Sequence, residues 1–529
     1  MSKRVVVIGG GIGGIATAGL LAKDGHTVTL VEALPRLGGR AGLWEKDGFR
    51  FDTGPSWYLM PEVFDHWYKL MGTSADEHLK LSKLDPGYRV YFEPEGSNRA
   101  EFIDVRASRE ENLALFEEME PGNREAMERY LDSAKETYRI AKEYFLYTSF
   151  QDLRPLLVPE VLKRTGTLVR LLTTPIMSFV KRHTKNPRIQ QLLGYPAVFL
   201  GSSPFIAPSM FHLMSYLDLE DGVLYADGGF TRVIDTMGEV IKDHGVTVLT
   251  NARVSNICTE RGGGKKARAT GVEYVDSDGT KHFVKADFVV STTDLHHSET
   301  KLLPEELQTY PQSWWDKKLA GPSAVLLYLG VKGEVPELLH HSLFFTEDWN
   351  TNFSKIFANP PIIPNPASLY VCKPSATDKA VAPKGDTNLF VLVPMPADIS
   401  MGRGGLDRTG DKAVEDVADR AIEQIAKWSG VTDLADRIVV RRSVGPADFA
   451  GDLNAWKGTA LGPAHTLGQS ALFRAGNISK KVDGLYFAGS STIPGIGLPM
   501  CLISAEVLVK RVRGDVSTTP LSEPLTPVA

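Results

Sequence analysis

Two glycine-rich turns, one near each end of the chain, are where this sequence is equipped for chemistry. Near the start, Gly9-x-Gly11-x-x-Gly14 follows the β-branched run from Arg4 to Ile8 and leads into a segment, Ile15 to Lys23, that reads as helix. Glycines at this spacing have distinct jobs: Gly9 permits a tight turn, Gly11 lets the backbone approach a pyrophosphate, and Gly14 lets helix pack close on strand. Gly13 lies in the same turn. The helix N-terminus offers amides and partial positive charge to phosphates. His26 to Glu32 reads as a second buried strand ending in an acid, and Glu32 stands about 20 residues past the turn, placed to accept hydrogen bonds from a ribose. Near the other end, a strand through Phe487 and Gly489 runs into Ser490 and then Pro494, Gly495, Gly497, Leu498, Pro499 and Met500, where another helix opens. That second turn suits a pyrophosphate or the electron-rich edge of a redox ring.

The rest of the chain has to position these turns. Its 529 residues are too many for one ordinary core and suggest two or three intertwined lobes. A net charge of -5 excludes a global basic field for nucleic acid. Cys258, Cys372 and Cys501 lie far apart with no C-x-x-C, so neither a disulfide framework nor a metal site is expected, and the compartment is read as reducing. The uncharged stretch from Val5 to Ala22 imitates a signal peptide or membrane span. Its glycines would make a poor helix, and it is read as strand, turn and helix. No other stretch is long and apolar enough to cross a bilayer, so any membrane contact is expected at the surface.

Three further segments carry a family resemblance. Arg36 to Arg40 resembles the R-x-G-G-R segment of the flavin amine oxidase superfamily, in which Gly39 and Arg40 would lie along the FAD pyrophosphate. Phe51-Asp52-Thr53-Gly54-Pro55 is similar to the same superfamily's FD-x-GP loop beside the flavin, and also reads as a hairpin arm with Asp47-Gly48 at its turn. Gly228-Gly229, a helix from Phe230 to His244 and a strand from Val246 to Thr250 resemble the unit that returns the chain to the FAD domain, with Val254 at the adenine end. The terminal string from Gly484 to Ala505, with Pro494-Gly495-Ile496-Gly497-Leu498-Pro499-Met500 at its centre, resembles bacterial phytoene desaturases and related carotenoid desaturases. Amine oxidases often carry an acid where this chain has Ser490.

Between the flavin segments lie two inserted blocks. Glu110 to Tyr147 is charged and periodic, a run of helices. From Arg154 to Arg188, lysines and arginines face a single acid, Glu160, with apolar residues interleaved and prolines breaking the run into short pieces. That pattern suits the interface of an anionic membrane, or an ordinary helix pair with a solvated basic face. Tyr195 to Leu219 is nearly uncharged and reads either as tunnel lining or as plain core, with His212 a satisfied core histidine. Lys301 to Val440 reads as a mixed sheet with helices, including strands Ala324 to Val331 and Asn388 to Val393 and a helix from Asp411 to Trp428. Gly271 to Val275 and Lys281 to Val290 read as a hairpin, and Arg261 to Lys266 as an exposed turn.

The expected fold is α/β: a Rossmann-type FAD-binding domain (1–60, 225–300 and 441–514), an interleaved mixed α/β substrate domain (61–150 and 301–440), a helical membrane-associating region (151–224) and a disordered tail (515–529). The resemblance implies an FAD-dependent desaturase that introduces C=C bonds into phytoene, toward lycopene or a related polyene. It further implies oxygen or a quinone as electron acceptor and a cytoplasmic protein held on the inner membrane face. Asp152 and Arg154 stand where related desaturases carry an Asp and an Arg suspected of catalysis; from the residues alone they read as a helix-start acid and a surface base. Alternatives on the same fold are a carotenoid isomerase, saturase or ketolase, an amine or protoporphyrinogen-type oxidase, and a non-enzymatic prenyl-binding module.

Overall fold

The structure, a computed structural model, describes residues 2–96, 99–261, 266–358 and 360–527. The Gly-rich part of the expected turn at 262–265 therefore lies outside the described residues.

The sequence Arg4–Ile8 forms the centre of a five-stranded parallel sheet because its β-branched side chains can be buried on both faces. The strand order is Leu485–Phe487, Phe288–Ser291, Arg4–Ile8, Thr27–Val31, Thr247–Leu249. All four pairings are parallel. The sheet thus draws on the beginning, the middle and the end of the chain. Its order reverses beside Arg4–Ile8, and ligands of open α/β sheets bind at such a switch point, outside the carboxyl ends of the strands. The helices Ile12–Lys23, Gly229–Asp243 and Leu498–Arg513 pack together on one face around Ile15, Leu20, Met237 and Leu508.

A second, seven-stranded sheet stands beside the first, in the order Ile438–Val444, Ser323–Val331, Thr387–Met395, Leu369–Cys372, His341–Phe345, Tyr88–Phe92, Phe102–Val105. It is antiparallel except where His341–Phe345 runs parallel to Tyr88–Phe92. The amphipathic helix Lys412–Ser429 covers one face through Val414, Ile422 and Ile425. Residues 441–444, expected with the cofactor domain, belong to this sheet's edge.

Two other expectations change. The run from Lys281 to Val290 is not one hairpin arm: Lys281–Lys285 pairs with Ala267–Val275, then the chain turns at Ala286-Asp287 and Phe288–Ser291 joins the cofactor sheet. Asp287 makes the break by accepting from the Arg4 backbone amide at 2.8 Å and pairing with its side chain. The tail, expected to be disordered, is packed on the cofactor domain as far as residue 527. Leu525 is 2% exposed in the main core cluster, and its amide donates to the Leu70 carbonyl at 2.9 Å. The buried Lys510 ammonium donates to the Ser517 and Thr519 carbonyls at 2.7 Å, and His66 bridges Glu506 and Glu523. Its composition is that of disorder; one buried leucine, one ion pair and a set of hydrogen bonds hold it down.

The region 151–224 is built of short helices, as its prolines require. Leu153, Leu157, Leu162 and Val169 are exposed on it, Leu157 by 64%. Among the described residues no helix is long and apolar enough to cross a membrane.

Candidate functional site

One cavity of about 780 Å³ runs from the switch point of the parallel sheet into the face of the second sheet. Its first half is walled by backbone. Gly9, Gly11 and Gly13 line it, and the bend at Gly9 (φ 97°) is open to glycine alone at no steric cost. A methyl group on Gly14 would sit 1.8 Å from the Gly9 carbonyl, which is why helix and strand approach so closely only with glycine there. A methyl on Gly11 would meet nothing nearer than 3.9 Å, so the open side of Gly11 is the side facing the cavity.

The second glycine segment lies against the first. The Gly38 amide donates to the Gly10 carbonyl at 2.8 Å, and Gly39 and Arg40 follow in a short turn on the cavity wall. Arg40 donates through Nε to the Ala460 carbonyl at 2.8 Å and, among the described residues, makes no carboxylate ion pair. Burial pulls its guanidinium below the usual range, an effect that the nearby Asp294 partly offsets. A guanidinium with unpaired donors on a glycine-walled cavity is the group a pyrophosphate would satisfy.

Glu32 closes this half. Its carboxylate accepts from the Gly10 amide and, at 2.7 Å, from the Leu34 amide, and it lines the cavity together with Val254. Thr53, Gly54 and Pro55 line the cavity as well. Asp52 of the same loop does not. It caps the helix Gly229–Asp243, accepting from the Phe230 amide at 2.8 Å and the Thr231 amide at 3.0 Å. The FD-x-GP loop is therefore a brace as well as a wall. The C-terminal turn supplies the remaining side through Gly489, Gly495, Gly497, Leu498, Pro499 and Met500, with the first turn of Leu498–Arg513 at the cavity. All sixteen cofactor positions expected from sequence except Gly14 line the cavity, and Gly14 shapes the turn behind it. These residues fit FAD: a glycine cradle at two helix starts, a buried cation for the pyrophosphate and an acid for the ribose.

The other half of the cavity is side chain. Trp57, Phe199, Leu217, Leu343, Phe345 and Phe353 are among its walls. The segment from Tyr195 to Leu219 contributes Val198, Phe211 and Met214 too, while its Ala197, Ala207 and Leu219 are core, so it is lining on one side and core on the other. This segment is tied to the basic block by the Ser209 amide donating to the Thr174 carbonyl at 2.7 Å and the Ile176 amide to the Ala207 carbonyl at 2.9 Å. His212 is buried between the Ser209 carbonyl and the Ser133 hydroxyl, and burial pulls it down to about 4, as expected of a core histidine.

The roles given to Asp152 and Arg154 are corrected. They pair with each other at 2.6 Å, Arg154 with its side chain 86% exposed, and neither lines the cavity. With four hydrogen bonds from Arg154 to hold it, Asp152 is turned to its own neighbour rather than to a ligand.

Sequence reading missed several groups. Arg474 is buried and donates to the carbonyls of Thr492, Gln469 and Ser490, fixing the shape of the C-terminal turn. His465 lies on the cavity wall between that turn and the Tyr195–Leu219 segment. His340, His341 and Cys372 bring one ring nitrogen each and a sulfur within 4.8 Å of one another behind the wall. Burial pushes the Cys372 thiol up to about 12, which keeps it protonated and a poor metal donor. None of these had a motif; His465 joins segments far apart in sequence, and Arg474 closes a loop within its own neighbourhood.

Comparison with known proteins agrees with this geometry. The family model of flavin containing amine oxidoreductases matches residues 12–512. The chain is 41% identical over 515 residues to the carotenoid 3,4-desaturase of Haloarcula japonica, covering 97% of this chain and 99% of that one. It is 31% identical over 536 residues to the zeta-carotene-forming phytoene desaturase of Myxococcus xanthus, covering 99% and 98%. An oxidoreductase from Methanosarcina mazei shares the fold, with a TM-score of 0.59 at 16% identity, over 96% of this chain and 100% of that one. The chain belongs to the flavin-containing amine oxidoreductase family, where it stands with the carotenoid desaturases as an FAD-dependent oxidoreductase.

Proposed function

We propose that the protein desaturates an acyclic carotenoid, with phytoene as the substrate that its sequence motifs favour. The observation that carries this reading is the continuity of the cavity, in which a cofactor cradle opens into a passage walled mainly by apolar side chains. FAD, when bound, supplies two-electron oxidation of a C–C single bond to C=C. The chain's own part is to hold the cofactor on Arg40 and the glycine turns and to lay the polyene between Trp57, Phe199 and Leu343. It also keeps water from the reacting carbons by apolar walls. Likeness to the Haloarcula relative favours a second reading, introduction of a 3,4 double bond into a carotenoid.

A substrate of this kind stays in lipid, so the protein would work at a membrane surface, on the inner face of the cell membrane. Exposed Leu153, Leu157, Leu162 and Val169 among Arg154, Lys163 and Arg170 give a surface suited to partial insertion between anionic headgroups. Oxygen or a quinone would take the electrons on. The test is to give the FAD-loaded protein phytoene or, separately, a fully conjugated acyclic carotenoid in liposomes, and to record the spectrum of the extracted lipid. New visible bands from phytoene support the first reading, and a red shift of the conjugated substrate alone supports the second. No change in either, with reducible flavin bound, overturns both.

A further inference from the structure

A dehydrogenation removes a hydride and a proton, and the second needs an acceptor on the protein. Of the carboxylates along the cavity, Asp452 is exposed beside Arg403 and the other three are already engaged with backbone. Glu32 holds the amides of Gly10 and Leu34. Asp294 holds those of His296 and Trp456, and Asp448 those of Gly404 and Gly445. His465 differs. It is 2% exposed, its Nδ1 lies 3.1 Å from the Leu200 carbonyl, and Nε2 has no hydrogen-bond partner among the described residues. A carbonyl can only accept, so Nδ1 carries the proton and Nε2 presents a lone pair. A methyl group on Gly495 would stand 2.5 Å from Nε2, which places that nitrogen against the cofactor-side turn. The edge contact with Phe211, 5.4 Å between ring centres, places the other side of the ring on the apolar passage. His465 therefore sits where the two halves of the cavity meet.

From this placement we infer that His465 Nε2 accepts the proton that the polyene loses when its new double bond forms. The inference rests on the desaturase reading above. The two electrons and one hydrogen that leave as hydride go to the oxidant, FAD. On the neighbouring carbon the C–H bond breaks, its electron pair becomes the π bond, and the proton moves to Nε2 to leave an imidazolium. Burial and then the nearby Arg474 hold His465 well below the usual histidine range, so the ring is neutral before the reaction and gives its proton up readily afterwards. A weak base suffices, because a polyene that is losing hydride becomes a strong carbon acid. Gly495 is explained by the same contact: any side chain there would cover Nε2.

The test uses the full-length, FAD-loaded protein with polyene in liposomes. H465A is expected to retain stoichiometric flavin and to hold polyene within twofold of the wild type after gel filtration. Its desaturation rate is expected to fall about a hundredfold, the lower range for loss of a general base. Added imidazole should restore at least tenfold of that loss, which a merely structural role would not produce. A rate within threefold of the wild type, or failure of imidazole to raise it while flavin and polyene stay bound, overturns the inference. If H465A sheds its flavin, H465Q decides by the same rate criterion, and loss of flavin from both assigns the residue to structure and also overturns it. A wild type that forms no double bond brings down the desaturase reading itself, and this inference with it.

Discussion

The two halves of the cavity are built from different materials. On the cofactor side the walls are main chain: the nearest neighbours of Gly14 and Gly54 leave no room for another carbon, and Gly9 turns at a positive φ of 97°. On the substrate side the walls are aromatic and aliphatic side chains on two sheets and a set of short helices. A backbone wall is set by the turn geometry of three separate chain segments and cannot be adjusted without refolding them. A side-chain wall can be recut one residue at a time. The difference explains how one cofactor site can serve relatives that act on different bonds of different carotenoids: the variable half is the one that can vary without loss of the fixed one.

Perturbations should separate the halves accordingly. The largest effect is expected from Gly14→Ala, which forces a methyl into the Gly9 carbonyl. Overpacking of this kind costs up to about 3 kcal/mol, and here it opens the cradle as well. The purified variant should carry almost no flavin by its absorbance and melt several degrees lower. Arg40→Met removes the cation while keeping the bulk. Loss of charge-assisted hydrogen bonds costs about 1.5–3 kcal/mol, so FAD affinity by fluorescence titration should fall between ten- and a hundredfold with little change in melting temperature. Phe199→Ala acts on the other half, where Phe199 packs on Trp57 at 5.3 Å between ring centres. Flavin content should be unchanged while kcat/KM for the polyene falls about tenfold; joint loss of both would erase the distinction between the halves.

The smallest effect compares one buried carboxyl from each half. Asp218 accepts from Tyr88 and Tyr195 behind the apolar wall, and Glu299 lies behind the Thr292–Asp294 segment with its Oε1 unpartnered. Burial raises both to about 7. Each therefore binds a proton more tightly folded than unfolded, so its stabilisation is present at low pH and is lost as pH rises from the ordinary carboxylate range through 7. Asp218→Asn and Glu299→Gln should each flatten the fall of melting temperature between pH 5 and 8. A variant with the wild-type slope would show that its carboxyl is ionised throughout.

The same difference in materials decided what could be read in advance. Glycines that serve a phosphate must come at short, fixed spacing, so the cradle at 9–14, 38–40 and 495–497 is written locally. Strands of the second sheet such as Tyr88–Phe92, His341–Phe345 and Leu369–Cys372 are four or five residues long and buried on both faces, so they carry no alternation to betray them. His465 and Arg474 act through carbonyls and glycines elsewhere in the chain, and those partners exist only once the chain has folded. Asp152 and Arg154 show the reverse error: a position matched to a family, with side chains that face each other.

The order of strands in the cofactor sheet has a consequence for how the molecule is made. Arg4–Ile8 leaves the ribosome first, yet one of its flanks is filled by Phe288–Ser291, which in turn pairs with Leu485–Phe487. At roughly 5–20 residues per second the first strand waits tens of seconds for Phe288–Ser291, whose own free edge then waits about as long for Leu485–Phe487. Through that interval a row of unpaired, β-branched backbone is open to any passing edge. Flavin cannot shorten the wait, because its cradle is closed only by the helix that follows the last strand. Yield in a foreign host should therefore depend more on chaperones that cover this edge during synthesis than on the supply of flavin.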